Sequence, residues 1–268
     1  MKKISLDEIK YIELNILKQF KQFCDEKKIK YYLSNGTLLG AIKYKGFIPW
    51  DDDIDVFVPR ADYERLILEY PTNDKLKLLC CERDKNYIFP FAKLSDMSTR
   101  IKDQIILNEY VYGIHIDIFP LDFWNNDIYI AQKNAKIIQA RARSLSLSIA
   151  RFSTGRTFIR TCVKNLLIAF FRIVGWKYFK KALNDQINDC LNFAGDKYAG
   201  CVVWPIYGKH EVIPSEAFTG TVYVQFEGEM FPAPIGYDIY LRSLYGNYEK
   251  DPPVEKQKSH HRYTAYYI

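Results

Sequence analysis

Residues 34–60 read SNGTLLGAIKYKGFIPWDDDIDVFVPR, and the acidic run in this stretch leads directly into a predicted strand. Successive side chains of a strand point to opposite faces, so we expect Asp51, Asp53 and Asp55 on one side of the chain. Asp52 should face the other side. The residues before and after the run are apolar, which places the acids at the edge of a hydrophobic core.

Three carboxylates on one side repel each other, and keeping them ionised at a partly buried position is costly unless a cation neutralises them. Hard oxygen ligands of this kind suit Mg²⁺ or Mn²⁺. The pattern therefore predicts a metal site that includes Asp51, Asp53 and Asp55. The alternative is a solvated acidic turn, which the apolar flanks at 47–50 and 54–58 disfavour.

A turn of small residues, Asn35-Gly36-Thr37, precedes the acids and opens a short helical segment. Backbone N–H groups at such a turn bind phosphate oxygens, and Thr37 adds a hydroxyl group. Many strand-to-helix turns look similar, so the turn predicts a phosphate site only in combination with the acids that follow it.

The rest of the chain alternates helices and short strands. Ser5 and Glu8 form a capping box before a first helix in which we see packing residues and no chemistry. This order predicts an α+β fold, a nucleotidyltransferase-like mixed sheet flanked by helices, with a basic helical insertion. We expect strands at 30–33, 54–58, 75–81, 87–94, 99–102, 113–119 (ended by Pro120) and 221–231, a Pro-rich turn at 231–234, and helices at 6–26, 61–69, 128–150, 156–183 and 237–245.

The basic residues are concentrated in one segment. The chain has a formal charge of +6, yet residues 128–184 contain twelve Lys and Arg and no Asp or Glu. Its longest apolar run, at 166–171, is far shorter than the roughly 20 residues of a membrane span. We divide the chain into a catalytic core at 1–127, a basic helical insertion at 128–195 that contacts membrane or acceptor, and a part at 196–268 that completes the catalytic domain.

Several other features restrict the function. The N-terminal residues lack the apolar run of a signal peptide, so we expect a cytoplasmic protein. The six cysteines form no CxxC pair and have no histidine at zinc-finger spacing, which argues against a disulfide framework or a zinc site. No aromatic-interleaved basic motif is present, so we expect no nucleic acid as a partner.

Together these motifs resemble the LicD family of phosphotransferases, which is related to the fukutin proteins and lies in the nucleotidyltransferase-fold superfamily. The superfamily pattern is a glycine and a small hydroxylated residue at a helix start, two acids one residue apart on a strand, and a third acid on a later strand. Gly36-Thr37, Asp53-Ile54-Asp55 and Asp117 match these three parts, with Asn35-Gly36-Thr37 standing where superfamily members often have Gly-Ser or Gly-Gly. The resemblance to LicD itself rests on residues 34–60, 91–96, 226–234, 240–241 and 245–248.

The resemblance implies transfer of phosphocholine, or a similar phospho-alcohol, from CDP-choline or a related CDP-alcohol to a sugar hydroxyl. The acceptor would be a cell-surface glycan such as teichoic acid or lipopolysaccharide, or its lipid-linked precursor, and CMP would leave. Asp53 and Asp55 would hold Mg²⁺ or Mn²⁺ against the diphosphate, and Asp117 would complete the metal site or act as general base. An acceptor of this kind implies that the enzyme docks peripherally on the anionic inner face of the cell membrane.

Further side chains are candidates for binding the donor. Lys93 is the candidate for neutralising the diphosphate, and Arg100 is a second one. His115 is a base or a histidine whose hydrogen bonds are satisfied within the fold, and we favour the latter. A choline group is held by aromatic faces, and Trp50 is chosen because it adjoins the acids. Other large rings are available at Trp124, Trp204 and Tyr207.

Two other functions remain open at this point. An Asp-x-Asp at a strand end also holds Mn²⁺ and a sugar nucleotide in glycosyltransferases, although the Gly36-Thr37 turn shortly upstream favours the nucleotidyltransferase pattern. A non-enzymatic choline- or glycan-binding protein would use the acids as a calcium site. Choline-binding modules are usually repetitive, and this chain has no internal repeat.

Overall fold

The structure is a computed structural model that describes residues 2–71, 74–107, 111–154, 157–257 and 263–268. The helices are α1 (Leu6–Lys27), α2 (Asn35–Tyr44), α3 (Arg60–Glu69), α4 (Ile128–Ser148), α5 (Phe158–Val174), α6 (Trp176–Asn192) and α7 (Tyr237–Tyr245). The strands are β1 (Tyr32–Leu33), β2 (Asp55–Pro59), β3 (Leu76–Leu79), β4 (Ala92–Asp96), β5 (Thr99–Asp103), β6 (Ile114–Phe123), β7 (Tyr198–Gly200), β8 (Ile213–Pro214), β9 (Thr221–Phe226), β10 (Glu229–Pro234) and β11 (Tyr263–Tyr267).

The central sheet is mixed, and it confirms the predicted α+β class. Its strand order is β1-β2-β6-β4-β3, and β7 and β8 extend it from the second half of β6. The neighbours β2 and β6 are parallel, whereas β1–β2, β4–β6 and β3–β4 are antiparallel. Two further antiparallel pairs, β9–β10 and β5–β11, lie outside this sheet.

Helix α1 begins where its capping box predicts and packs against the middle of the sheet. The Ser5 hydroxyl accepts the Glu8 backbone N–H, and the Glu8 carboxylate accepts the Ser5 N–H, so two N–H groups that the helix itself leaves unpaired are satisfied. The apolar residues of α1 recur at helical spacing and are buried, including Ile16, Leu17 and Phe20. Helix α1 thus lies against β6 and β4, the strands that carry Asp117 and Lys93.

Prolines account for three differences from the expected strands. Strand β4 begins only at Ala92 because Pro90 has no N–H to donate to a sheet ladder. Strand β6 does not stop at Pro120 but runs to Phe123, since Pro120 lies between the residues that pair with β4 and those that pair with β7. The predicted turn at 231–234 is wrong, because these residues belong to β10. This strand has one partner, β9, and an edge strand of this kind tolerates proline.

The predicted helix at 156–183 is two helices. Gly175 lies between α5 and α6 with φ = 89°, a conformation that glycine adopts without the steric cost borne by other residues. The sequence did not predict this break, because the apolar and basic residues continue across Gly175. Helix α4 begins at Ile128, as predicted, with the Asp127 carboxylate accepting the Tyr129 and Ile130 N–H groups.

Candidate active site

Three polar side chains stand in a row across neighbouring strands. In the parallel pair β2–β6, Asp55 is the direct partner of Asp117, and in the antiparallel pair β4–β6, Asp117 is the partner of Lys93. Side chains of directly paired residues point to the same face of a sheet. The sheet register thus brings Asp55, Asp117 and Lys93 together, although they are far apart in the sequence.

The small-residue turn holds the acidic run through hydrogen bonds. The Thr37 hydroxyl oxygen accepts the Asp55 backbone N–H at 2.8 Å and lies 3.4 Å from the Asp53 carbonyl oxygen, to which it donates. The Asn35 amide nitrogen donates to Asp55 Oδ2 at 3.1 Å. The turn therefore positions the acids, a task that the sequence analysis did not assign to it.

Two further contacts fix the start of α2. The Asn35 backbone N–H donates to the Tyr240 hydroxyl oxygen at 3.0 Å, and that hydroxyl donates to Asn35 Oδ1 at 2.8 Å. Asn35 has φ = 46°, a left-handed conformation that asparagine tolerates better than most residues. A Cβ at Gly36 would lie 3.1 Å from Asp51 Oδ2 and 3.9 Å from Asp53 Oδ1, so the glycine gives these carboxylates room to approach.

Of the acids in this run only Asp55 lies in a strand, because β2 begins there. Strand alternation therefore does not orient the acids before it. Asp51 and Asp53 both lie near Gly36. Asp52 does not simply turn away from the site. It is buried, its carboxylate contacts the Tyr263 hydroxyl, and its charge lies near Glu13 together with that of Asp53.

Lys93 is buried against the acids and the aromatic residues. Its ammonium lies 2.5 Å from Asp117 Oδ1 and 2.9 Å from His115 Nε2. The same ammonium is 5.2 Å from the ring centres of Phe89 and Phe91, within range of a cation–π interaction. The second ring nitrogen of His115 lies 2.9 Å from the Gly113 carbonyl oxygen, which agrees with a histidine that is satisfied at both nitrogens.

Glu13 of α1 is a site residue that the sequence analysis missed. Its side chain is buried, and Oε2 has no hydrogen-bond partner within the described part of the chain. Burial raises the pKa of Glu13 well above its usual range, and the charges of Asp53, Asp52, Asp117 and Asp55 raise it further. One signal was present in the sequence, since Glu13 is a charged residue on the apolar face of a helix.

A pocket of about 220 Å³ opens beside these groups. One part of its wall is charged and polar, and the other is aromatic, with the rings of Phe89, Phe91 and Trp204 packed 5.4 to 6.0 Å apart. Its lining comprises Glu13, Asp53, Ile54, Phe89, Phe91, Lys93, Ile101, Asp103, Ile106, Tyr112, His115, Asp117, Trp204 and Tyr263.

Other candidates from the sequence lie outside this lining. Trp50 is half-buried and packs edge to face on Tyr44, with ring centres 6.2 Å apart. Arg100 is exposed on β5, where the neighbouring Ile101 lines the pocket instead. Trp124 is fully buried and donates to the Glu211 carbonyl oxygen, and the Tyr207 hydroxyl donates to that of Tyr245.

The donor atoms at the site suit a hard divalent cation, although the side chains are not gathered around one point. In the described ranges no three Asp, Glu, His or Cys side chains form a metal-binding group, and Asp117 and Asp55 contact Lys93 and Asn35 instead. The unpartnered Glu13 oxygen is the observation that fits a cation, because it is buried near the charges of Asp53 and Asp117. Residues that would hold the ion are Asp51, Asp53, Asp55, Asp117 and Glu13.

Four features together define the nucleotidyltransferase-fold class: a mixed sheet, two acids one residue apart, a third acid on the adjoining parallel strand, and a glycine-hydroxyl turn at the start of the helix that precedes the two acids. A family profile described as "LicD/FKTN/FKRP, nucleotidyltransferase domain" matches residues 28–146. The chain is 34% identical, over the full length of both proteins, to a protein of Haemophilus influenzae named lipopolysaccharide cholinephosphotransferase LicD. The chain therefore belongs to the LicD family.

A second relative matches about half of the chain. The uncharacterized protein RT0683 of Rickettsia typhi is 28% identical over 142 residues, which are 48% of this chain and 45% of that protein. The match to the Haemophilus protein covers α4 to α6 and the C-terminal strands as well as the sheet that carries the acids.

Proposed function

We propose that this protein transfers phosphocholine, or a closely similar phospho-alcohol, from a CDP-linked donor to a sugar hydroxyl of a cell-surface glycan or its lipid-linked precursor. The observation that carries the proposal is the row of Asp55, Asp117 and Lys93 beside an aromatic pocket. The row occurs in a chain that aligns from end to end with a protein named as a lipopolysaccharide cholinephosphotransferase.

The charged part of the pocket suits the diphosphate of the donor. A Mg²⁺ or Mn²⁺ ion held by Asp53, Asp55 and Asp117 would neutralise the phosphate oxygens as charge develops on them. Lys93 supplies a fixed positive charge at the same place, because its ammonium is buried and anchored between Asp117 and His115. Asp53 and Asp55 are oriented by Thr37, which bonds to the backbone of each.

The aromatic part of the pocket suits a trimethylammonium group. Such a cation offers no hydrogen-bond donor or acceptor and binds through ring faces. Phe89, Phe91 and Trp204 form a continuous aromatic wall, with Tyr112 also in the pocket lining. We therefore assign the choline end of the donor to this wall and not to Trp50, the ring predicted from the sequence.

The chemistry requires one proton acceptor. The acceptor hydroxyl oxygen forms a bond to the phosphorus of the phosphocholine group, the bond from that phosphorus to the CMP oxygen breaks, and the hydroxyl proton goes to a carboxylate. Asp117 is our candidate for this role, since it lines the pocket and is partly exposed. Its Oδ1 atom contacts the Lys93 ammonium, which holds the carboxylate beside the proposed diphosphate site.

The acceptor chemistry points to a membrane-associated reaction. Lipopolysaccharide and teichoic-acid precursors are carried on lipids, and the acid-free segment at 128–184 offers positive charge to an anionic surface. None of the helices in the described part of the chain is long and apolar enough to cross a membrane. We propose that the protein binds the membrane peripherally at its cytoplasmic face.

Substitution of the acids tests the proposed function. Asp53→Asn and Asp55→Asn should each lower metal-dependent CMP release from CDP-choline, in the presence of a lipopolysaccharide or teichoic-acid acceptor, by roughly 100-fold or more. Asp189→Asn changes an exposed carboxylate of α6 and should leave the rate unchanged. A panel of UDP-sugars in the same assay tests glycosyl transfer. Full activity of either site variant in a folded protein, or UDP release in place of CMP release, would refute the proposal.

A further inference from the structure

Helix α5 presents an apolar stripe to solvent. Its members Ile159, Val163, Leu166, Phe170 and Ile173 follow one another at steps of three or four residues, so they lie on one face of the helix. All five are exposed, Ile173 by 86% and Leu166 by 71%. A continuous apolar face of this size on a folded protein marks a surface that binds something.

The opposite face of α5 attaches the helix to the rest of the protein. Thr161, Asn165 and Arg172 lie on this face and are partly covered, and Ile168 is the buried residue of the helix. The Asn165 side chain accepts the Ser153 backbone N–H, and Arg172 donates to the Ala150 carbonyl oxygen. The helix is therefore held in place, with its apolar stripe turned away from the sheet domain.

The charges around the stripe indicate what kind of partner it binds. Arg160 and Lys164 are exposed on the flank of α5 between the stripe and the attached face, and Lys177 is exposed on α6 just beyond Gly175. No acid occurs between residues 128 and 184. A second copy of this chain would bring two strongly positive surfaces together, whereas a phospholipid leaflet with anionic headgroups offers acyl chains to the stripe and phosphates to the basic residues.

The segments on either side of α5 are bonded to the rim of the pocket. Ile106 lines the pocket and forms a β-bridge with Ala150, and the Leu107 and Arg151 N–H groups donate to the Ile149 and Ile105 carbonyl oxygens, both at 2.6 Å. On the other side, the Lys180 ammonium donates to the Tyr87 carbonyl oxygen, two residues before Phe89 of the aromatic wall.

We propose that α5 is an in-plane membrane anchor, with its apolar stripe inserted in an anionic leaflet and Arg160, Lys164 and Lys177 at the lipid phosphates. A helix of 17 residues is about 25 Å long, and an amphipathic helix lying along the interface needs no greater length. The bonds to the pocket rim then keep the active site close to the bilayer. That the membrane carries the acceptor rests on the proposed function, whereas the insertion of α5 does not.

Vesicle binding of the full chain tests the anchor. The wild-type protein should float with phosphatidylcholine vesicles containing 30 mol% phosphatidylglycerol and bind pure phosphatidylcholine much more weakly. Replacing both Leu166 and Phe170 by Asn should weaken binding at least about 10-fold. Arg160→Gln and Lys164→Gln should each weaken it roughly fivefold at low salt and less at high salt. Leu68→Asn, a change of an exposed leucine on α3, should have no effect.

The outcomes separate the anchor from the proposed function. Unchanged vesicle binding by the Leu166 and Phe170 double variant would overturn the anchor. A second outcome would do the same: neither protein binds lipid, the wild type is a dimer, and the double variant is a monomer. The double variant should keep wild-type thermal stability, and wild-type CMP release with a soluble oligosaccharide acceptor, because its changes are exposed and lie outside the site. Vesicle binding without any transferase activity would leave the anchor standing and refute the proposed function alone.

Discussion

At the scale of single residues, Glu13 combines burial with a surplus of negative charge around it. Its carboxylate is buried, one oxygen has no hydrogen-bond partner within the described ranges, and the charges of Asp52, Asp53, Asp55 and Asp117 lie around it. Leaving a buried polar atom unpartnered costs about 1–3 kcal/mol, and more if it is charged. The fold accepts this cost at the position where the proposed function needs an additional oxygen ligand.

We expect Glu13→Gln to separate two effects of this carboxylate, its cost to stability without metal and its proposed contribution to cation binding. In EDTA at pH 8 the variant should be more stable to urea by roughly 1–3 kcal/mol, because a neutral amide avoids the cost of either burying a charged carboxylate or taking up a proton at this pH. Addition of Mg²⁺ should then stabilise the wild-type protein more than the variant. Glu26→Gln, near the exposed end of α1, serves as the control. An equal response of variant and wild type to Mg²⁺ would exclude Glu13 from the cation site.

At the scale of elements, α2 and the loop before β2 must approach each other closely. Gly40 allows this, since a Cβ there would lie 2.4 Å from the Gly46 carbonyl oxygen and 3.1 Å from the Ile48 nitrogen. The contact joins the helix that begins at the small-residue turn to the loop that leads to Asp51. A short side chain at Gly40 therefore disturbs the site without touching any acid.

Gly40→Ala should lower the free energy of unfolding by about 1–3 kcal/mol, because a backbone carbonyl has to move to admit the methyl group. CMP release should fall as well, since the acids move with the loop. Chemical denaturation and the donor assay measure the two effects. In Gly220→Ala the new Cβ meets only the Ile235 side chain, at 3.3 Å, so this variant should be much milder. Equal effects of the two substitutions would show that the close approach at Gly40 is unimportant.

At the scale of the whole molecule, Glu211 lies where the C-terminal part of the chain meets the sheet. Its backbone carbonyl accepts the Trp124 indole N–H, and its carboxylate accepts the Tyr207 N–H at 3.4 Å. Burial raises the pKa of Glu211 to about 8. The hydrogen bonds from the backbone of Tyr207 and Cys201 lower the pKa, but by less than burial raises it. The native state therefore holds a proton that the unfolded chain releases near pH 4.5.

The sign of the resulting pH dependence follows from the raised pKa. The stability contributed by protonated Glu211 is complete below pH 4.5 and is lost as the pH rises to about 8, at up to about 1.4 kcal/mol per pH unit. Glu211→Gln should remove this slope from the unfolding free energy measured by urea denaturation between pH 5 and 8. Glu216→Gln, at an exposed position, should keep it. A slope that survives in Glu211→Gln would assign the pH dependence to other groups.

The sequence by itself determined the class of the fold, and it indicated the acids that we propose for the site. Periodicity and capping predicted α1, α3, α4 and α7 close to their observed bounds, because the signals for a helix are local. The motif from Asn35 to Asp55 was recognisable for the same reason, since the turn and the acids lie within about 20 residues of each other. Local signals were weaker at prolines and at Gly175, where the strand and helix boundaries were wrong.

Only the tertiary structure brought Glu13 to the acids, and it gave the physical reason why Asp117, which the family resemblance implies, lies beside them. The parallel register of β2 and β6 pairs Asp55 with Asp117, and α1 delivers Glu13 to the same pocket. It also selected Trp204 over Trp50 for the pocket lining and turned the apolar face of α5 outward. A pattern of residues shows that a helix has an apolar face, but whether that face is covered depends on the packing of the whole chain.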